Sequence, residues 1–300
     1  MRFQLSVSVR WVALALGAIT VLGTSLVFGA DAGDQAPAAW IPKRLSDGQP
    51  DVQGFWRTEN PNAYSLTNPR TGQDGMPERT GPNAGKPPPR GPDGRVVAKT
   101  QKPSRIIDPP NGQVPYLPSA YAHQQDLYLN FEVPTKPQYV ETQMRCYPSG
   151  VARQQWWNEV EIRQYPGVVF LISYASNRFI YLDDRPHIPD NIKLFMSDSR
   201  GHWEGNTLVV DVTNSNAKHR LSYEGDFSSD KVHITERFIF KDNNTYQYQA
   251  TFTDPSVYKQ PWTVSSKQLR VHGNDPSYEW YEYACLEGER NLDNYIPVAE

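Results

Sequence analysis

From about residue 161 onward, apolar and polar side chains alternate in short runs, which is the pattern of half-buried β-strands. Gly, Pro, Asn and Asp separate these runs and supply the turns between strands. The strands that this pattern predicts are Glu161–Tyr165, Val168–Ala175, Arg178–Asp183, Ile192–Met196, Asn206–Thr213, Lys231–Lys241, Thr245–Thr253, Trp262–Val271 and Tyr278–Cys285. Because a strand recurs about every ten residues with no helical period in between, we expect an antiparallel meander.

A meander of this length leaves unpaired edges unless it closes or folds over itself, so we expect a lipocalin-like barrel or a sandwich. A barrel of about eight strands leaves room for one small ligand. Ahead of the meander, Asp51–Trp56 predicts one short strand and Pro118–Glu132 predicts a helix. The expected fold class is therefore mainly β, with a proline-rich N-terminal arm before the sheet.

An apolar run lies at the N-terminus. Residues Trp11–Phe28 are nearly all apolar or small, and Ala30-Asp31-Ala32 fits a small-x-small cleavage site. We therefore expect residues 1–32 to be a signal peptide and the protein to be exported, either periplasmic or secreted. The alternative is a retained membrane anchor, because the run is about as long as a short membrane span.

Residues 33–118 are rich in proline and glycine. Proline removes an amide donor and fixes φ, so we expect little regular structure in this arm. One interpretation is a loosely ordered segment. The other is a wrap that covers the mouth of a cavity through its apolar parts, Arg105–Asp108 and Val114–Leu117. The antiparallel β domain then occupies residues 119–300.

Composition narrows the class of protein. The chain has 300 residues with 30 basic and 33 acidic side chains, so its net charge of −3 does not favour nucleic acid as a partner. Two cysteines exclude a disulfide-dense scaffold and a multi-cysteine metal site. In an oxidising compartment Cys146 and Cys285 can pair, and we expect this disulfide; the alternative is two buried thiols.

One carboxylate lies on the apolar face of a predicted strand. Side chains alternate along Lys231–Lys241, and Glu236 falls between Ile234 and Phe238 on the same face. Burial without a partner raises the pKa of a carboxyl, which suits a general acid or base in an apolar cavity. The alternative is a buried ion pair that braces the sheet, with one of three arginines as partner: Arg153, Arg200 or Arg220.

The densest polar segment runs from residue 183 to residue 205. On a strand, His202 and Glu204 face the same way and can form an acid/base couple, with Asp198 close by. Together with Glu236, these three are the expected catalytic residues. The residues expected to bind substrate through rings or charge are Arg200, Trp203, Tyr246, Tyr281, Tyr283 and His187.

Three other interpretations use the same segment. Several of its side chains have metal-ligand chemistry, but no histidine pair has the i, i+4 spacing of a helical metal site, so we expect no metal. Ser199 could serve a hydrolase triad, although no Gly-x-Ser-x-Gly turn surrounds it. The structural interpretation is a hairpin in which Asp198 pairs with Arg200 and Trp203 caps the barrel.

The segment Asp198–Asp211 reads DSRGHWEGNTLVVD, and shorter motifs accompany it in order along the chain: Ser46–Trp56, Arg105–Pro110, Arg185–Pro189, Glu236–Phe238, Pro261–Thr263 and Tyr281–Cys285. Together they resemble the pattern of a large group of exported bacterial proteins of unassigned function. That group often has a histidine after the second cysteine, where this chain has Leu286. The resemblance implies one exported β-rich domain and no mechanism.

The predicted function is an exported enzyme that acts by acid/base chemistry, as a hydrolase, lyase or isomerase, on a small apolar or aromatic substrate in a barrel cavity. The alternative is a lipocalin-like protein that binds such a ligand without changing it, and a third option is a structural module of the envelope. We expect no cofactor, no nucleic-acid partner and no membrane span after signal cleavage. The oligomeric state is left open.

Overall fold

Strands dominate the part of the chain that the structure describes. The computed structural model describes residues 40–61, 65–67, 104–131, 134–156, 159–174, 176–273, 275, 277–280 and 285. The strands are β1 (Gly54–Thr58), β2 (Ile106–Asp108), β3 (Glu159–Tyr165), β4 (Val168–Ser173), β5 (Ser176–Tyr181), β6 (Asp198–Glu204), β7 (Thr207–Thr213), β8 (His233–Phe240), β9 (Thr245–Thr253) and β10 (Trp262–Val271). Helix α1 spans Pro118–Asn130, and single 3-10 turns lie at Pro137–Tyr139, Gln143–Arg145 and Arg153–Gln155.

Nine strands close into a barrel in the order β1-β3-β4-β5-β6-β7-β8-β9-β10, and β10 pairs back onto β1. Strand β2 is an extra strand on β10. Neighbouring strands are antiparallel except β5 and β6, which run parallel and share the pair Tyr181 and Arg200. The predicted mainly β fold with a closed barrel is confirmed. The parallel seam departs from a pure meander because residues 182–197 return the chain along the barrel before β6 begins.

Several barrel strands begin or end one or two residues away from the predicted boundaries, and one predicted strand is wrong. The predicted strand Ile192–Met196 is a turn region, in which Leu194 makes an isolated bridge to Ser215. The chain instead forms β6 directly afterwards, and a turn at Gly205 joins it to β7. Strand β6 carries few apolar residues, so alternation alone did not reveal it. Of the predicted strand at 278–285, the residues that the structure describes are not in a strand.

The predicted helix is present, and it begins with Pro118 at its first turn, where the missing amide hydrogen costs nothing. Strand β1 overlaps the short strand predicted at Asp51–Trp56, whereas β2 lies in the proline-rich arm, in which we expected little regular structure. Strand β1 lies between β3 and β10 and so completes the ring. Residues 68–103 of that segment, and the expected signal peptide at 1–32, lie outside the described residues.

Alternating side chains fill the barrel. On β8 and β9 the inward side chains include Phe238, Tyr248 and Phe252, none of which exposes any surface. The 3-10 turn at Arg153–Gln155 packs against this interior, because the Tyr246 hydroxyl donates to the Gln155 side chain at 2.8 Å. Each fully buried large apolar side chain contributes about 1.5–3 kcal/mol relative to exposure. The barrel is therefore a packed core.

A disulfide joins Cys146 to Cys285 across 139 residues of sequence, which confirms the predicted pairing. Among the described residues, no helix has both the length and the apolar character needed to cross a membrane.

Candidate functional site

Glu236 lies inside the barrel, where strand alternation placed it. Its side chain exposes no surface, and Arg178 from β5 approaches both of its carboxylate oxygens. The distance from Arg178 Nη1 to Glu236 Oε1 is 3.1 Å, and the Tyr248 hydroxyl donates to the same oxygen at 2.6 Å. Arg178 also donates from Nε to Ser199 Oγ at 2.9 Å. The carboxylate therefore has a charged partner and a hydroxyl donor in the packed core.

This geometry matches the ion-pair interpretation, but with a different arginine from the three proposed. Arg153 is buried and pairs with Glu141. Arg220 donates to backbone carbonyls of the segment 137–139. Arg200 lies on the outer face of β6. Sequence reasoning missed Arg178 although the signal was present, because the alternation of β5 places position 178 on the same inward face as Ile180.

The tyrosines near Glu236 act as hydrogen-bond donors within the core. Burial, and then the Glu236 carboxylate, raise the pKa of Tyr248 well above its ordinary value. The same two causes raise the pKa of Tyr246, which donates to Gln155. Tyr246 was expected to bind substrate, and it is instead a fully buried core residue. The other two tyrosines expected there, Tyr281 and Tyr283, lie outside the described residues.

The expected catalytic residues of β6 lie on the other side of the barrel wall from Glu236. Cross-strand pairing with β7 aligns Gly201 with the inward Val210, so the alternate positions of β6 point outward. The outward side chains are Asp198, Arg200, His202 and Glu204. Glu236 points inward, whereas the other three expected catalytic residues, Asp198, His202 and Glu204, point outward. The four residues therefore do not form one site.

On this outer surface His187 bridges two carboxylates. Its Nδ1 lies 2.6 Å from Asp198 Oδ2, and its Nε2 lies 3.0 Å from Asp211 Oδ2. His233 contacts the second oxygen of Asp211, and Arg200 Nη2 lies 3.1 Å from Asp198 Oδ1. Burial raises the pKa of Asp211, but hydrogen bonds from the two histidines outweigh it, so the pKa falls below its usual value. The cluster fastens the loop before β6 to the barrel.

The predicted couple of His202 and Glu204 is present on the same face, with 3.3 Å between His202 Nε2 and Glu204 Oε1. Both side chains are exposed, and Glu204 also accepts from Arg237 at 2.8 Å. Trp203 points the other way, packs against Phe240 and donates from its indole nitrogen to the Gln49 side chain at 3.3 Å. Across the described part of the chain, no three His, Cys, Asp or Glu side chains are arranged to hold a metal ion.

A cavity of about 160 Å³ lies away from the strands, between α1, the segment before it and the connection from β7 to β8. Of the described residues that line it, none belongs to a strand. The side chains with rings or polar groups at its wall include Tyr116, Tyr121, Tyr128, Gln124, Glu224 and Asp226. Such a mixture of aromatic surface and a few polar groups is typical of small-molecule sites.

Local sequence explains how these side chains meet. On α1, positions 121, 124 and 128 follow the i, i+3, i+7 spacing of one helix face. The segment 224–226 can approach that helix because Gly225 has no side chain. A Cβ at Gly225 would lie 2.6 Å from Leu127 Cβ, and the φ of +90° also favours glycine. Gln124 then donates to the backbone carbonyl of Glu224 at 2.9 Å.

Sequence reasoning did not identify this cavity, although it named part of its wall. Val114 and Tyr116 belong to the apolar part of the arm that was considered as a cover for a cavity mouth, and both line it. No sequence pattern indicated that Glu224 and Asp226 line a cavity, because residues 222–227 lie in an irregular connection between β7 and β8.

Comparison of the chain with protein-family models and with curated proteins found no match in either set.

Proposed function

We propose that this chain is an exported protein of the group that its motifs resemble, and that it binds a small organic molecule without transforming it. The cavity of about 160 Å³ beside α1 supports binding, because a cavity of roughly 150 Å³ in another protein accommodates benzene. The disulfide between Cys146 and Cys285 supports export, since such bonds persist mainly in oxidising compartments.

Binding is favoured over acid/base catalysis by the surroundings of the expected catalytic groups. Glu236 is occupied by Arg178 and Tyr248 and exposes no surface, so a substrate has no access to its oxygens. Both ring nitrogens of His187 already contact carboxylates. An acid or base must reach the reacting proton directly or through one water, and these groups are engaged elsewhere.

The test uses ligand-observed NMR with three small probes: phenol, choline and 3,3-dimethylbutan-1-ol. We expect at least one of them to bind the wild-type protein. Val114→Trp places a large ring at the cavity wall, so we expect it to abolish that binding. Ile107→Trp is the matched control, because Ile107 is exposed and does not line the cavity.

The folded state of both variants is verified by circular dichroism and thermal unfolding. If none of the three probes binds the wild-type protein, or if binding survives Val114→Trp in a folded protein, the proposed function is wrong.

A further inference from the structure

Tyrosine rings form a large part of the wall of the cavity beside α1. Tyr116, Tyr121 and Tyr128 are all among the described residues that line it. Tyr121 and Tyr128 lie about two helical turns apart on α1, and Tyr116 comes from the segment before the helix. Rings from two segments of the chain therefore border the same space.

The three rings lie at different depths in the wall. Tyr128 and Tyr116 are 1% and 7% exposed, whereas Tyr121 is 44% exposed. Tyr121 therefore lies at the rim of the cavity, and the other two rings lie deeper. A ligand that enters on the side of Tyr121 meets an aromatic ring at the rim and two more inside.

The ring of Tyr116 is held in one orientation by its neighbours. It stacks on Phe227 with the ring centroids 5.9 Å apart, and its centroid lies 5.6 Å from that of Tyr258. Its hydroxyl donates to Asp226 Oδ1 at 2.9 Å. Because these contacts fix the side chain before any ligand arrives, binding does not have to order it.

The size of the cavity limits the size of the ligand. A cavity of roughly 150 Å³ in another protein accommodates benzene. The space of about 160 Å³ beside α1 therefore suits one six-membered ring with a small substituent and is too small for two fused rings.

We propose that the ligand of this cavity is a small molecule built on one aromatic ring. This inference rests on the proposed binding function and adds the class of ligand. Two aromatic rings in contact gain more than the area they bury, because the positive edge of one ring meets the negative face of the other. A saturated ring of the same size buries a similar area against the tyrosines but lacks this interaction.

The test compares phenol with cyclohexanol, since each is a six-membered ring that carries one hydroxyl. Dissociation constants are measured by NMR titration of the full chain. We expect phenol to bind the wild-type protein at least about threefold more tightly than cyclohexanol. We expect 2-naphthol, which adds a second fused ring, to bind more weakly than phenol because it exceeds the volume of the cavity.

Variants at the rim ask whether the tyrosine rings cause the preference. Tyr121→Leu removes one ring and keeps an apolar side chain that suits a helix, so we expect it to reduce the preference for phenol by at least about twofold. Tyr121→Phe keeps the ring without the hydroxyl and should retain the preference. Tyr165→Leu is the matched control, because Tyr165 is 55% exposed on β3 and does not line the cavity.

Wild-type protein that binds cyclohexanol as tightly as phenol would overturn the aromatic inference. The proposed binding function would still stand if Val114→Trp abolished the binding of a probe. Tighter binding of 2-naphthol than of phenol, or an unchanged preference in folded Tyr121→Leu, would also overturn the inference. If Tyr121→Leu does not fold, the three wild-type dissociation constants decide. If phenol, choline and 3,3-dimethylbutan-1-ol all fail to bind, the binding function and the aromatic inference fail together.

Discussion

The pair of Arg178 and Glu236 brings two charges into a core that excludes water. Removing ions from water costs several kcal/mol each, and the cost is offset only where the geometry and the remaining hydrogen bonds are good. Here Tyr248 and Ser199 satisfy further groups of the pair. Each charge is tolerated in the core only while its partner is present, because a single buried charge would be uncompensated.

Removing one partner should expose this dependence. We expect Glu236→Leu or Arg178→Met to lower the free energy of unfolding by about 3–5 kcal/mol, since each leaves an uncompensated buried charge. The double variant should lose much less than the sum of the two, as measured by urea denaturation. The matched control is the exposed pair of Glu204 and Arg237, whose removal should cost no more than about 1 kcal/mol. Single losses as small as those of the control would contradict this account.

His219 is a second buried group with an electrostatic consequence. It is 4% exposed and packs against Gly150. Burial, and then the nearby Arg153, lower its pKa to about 4, so the imidazole is neutral in the folded protein. The unfolded chain has the ordinary value of about 6.5 and takes up a proton first as the pH falls.

The contribution of His219 to stability is therefore complete above about pH 6.5 and is lost as the pH falls toward 4. We expect this group to account for a loss on the order of 3 kcal/mol over that interval. The measurement is the free energy of unfolding as a function of pH for the wild type and for His219→Gln, whose slope should be shallower. His123→Gln, at an exposed position, should retain the wild-type slope. Identical slopes for all three proteins would refute the assignment.

At the level of secondary structure, the approach of α1 to the segment 224–226 shapes the cavity. This approach depends on Gly225, which has a φ of +90° and lies against Leu127. The helix has little amphipathic character of its own to position it, so its contacts at Leu127 and Gln124 must hold it. The shape of the cavity therefore depends on the packing of Gly225 against Leu127.

Gly225→Ala should disrupt this contact. We expect it to destabilise the protein by about 1–3 kcal/mol more than Gly205→Ala, because overpacking adds to the backbone strain that both share. Gly205 is the matched control, since its φ is +61° and no atom lies within 4 Å of the added Cβ. Unfolding in urea gives the difference, and NMR titration reports probe affinity, which we expect Gly225→Ala to weaken. Equal stability of the two variants would show that the contact contributes nothing.

Across the whole molecule, long-range closures define the fold. Strand β1 joins β3 to β10, because Gly54 pairs with Ile162 and Phe55 pairs with Val271. The disulfide adds a covalent closure between Cys146 and Cys285. The strand pairings form only on folding and cost the entropy of closing long loops. The disulfide closes its loop in the unfolded chain as well and so reduces that cost.

Reduction of the disulfide should therefore lower stability markedly. For a loop of 139 residues we expect a loss of roughly 4–5 kcal/mol in the chain-entropy model. The measurement is the urea midpoint with and without dithiothreitol. A variant with Cys146→Ala and Cys285→Ala should match the reduced wild type and should not respond to the reductant. A wild-type midpoint that reductant leaves unchanged would contradict the prediction.

Local periodicity was enough to predict most strands, helix α1 and the inward direction of Glu236, because side-chain orientation repeats every two residues on a strand and about every 3.6 residues on a helix. The cysteine count and the apolar N-terminal run were enough to predict the disulfide. Strand β6 escaped prediction because two of its three inward residues, Ser199 and Gly201, are small and not apolar.

Pairings between distant segments could not be read from local pattern. Arg178 as the partner of Glu236, the opposite faces of Glu236 and His202, and the meeting of Tyr116 with Asp226 each depend on strand order and closure of the barrel. Periodicity indicates on which side of a strand a residue lies, but it does not indicate which other strand lies opposite. Contacts across the barrel and around the cavity arise when many segments pack at once, and that joint packing is a property of the folded chain.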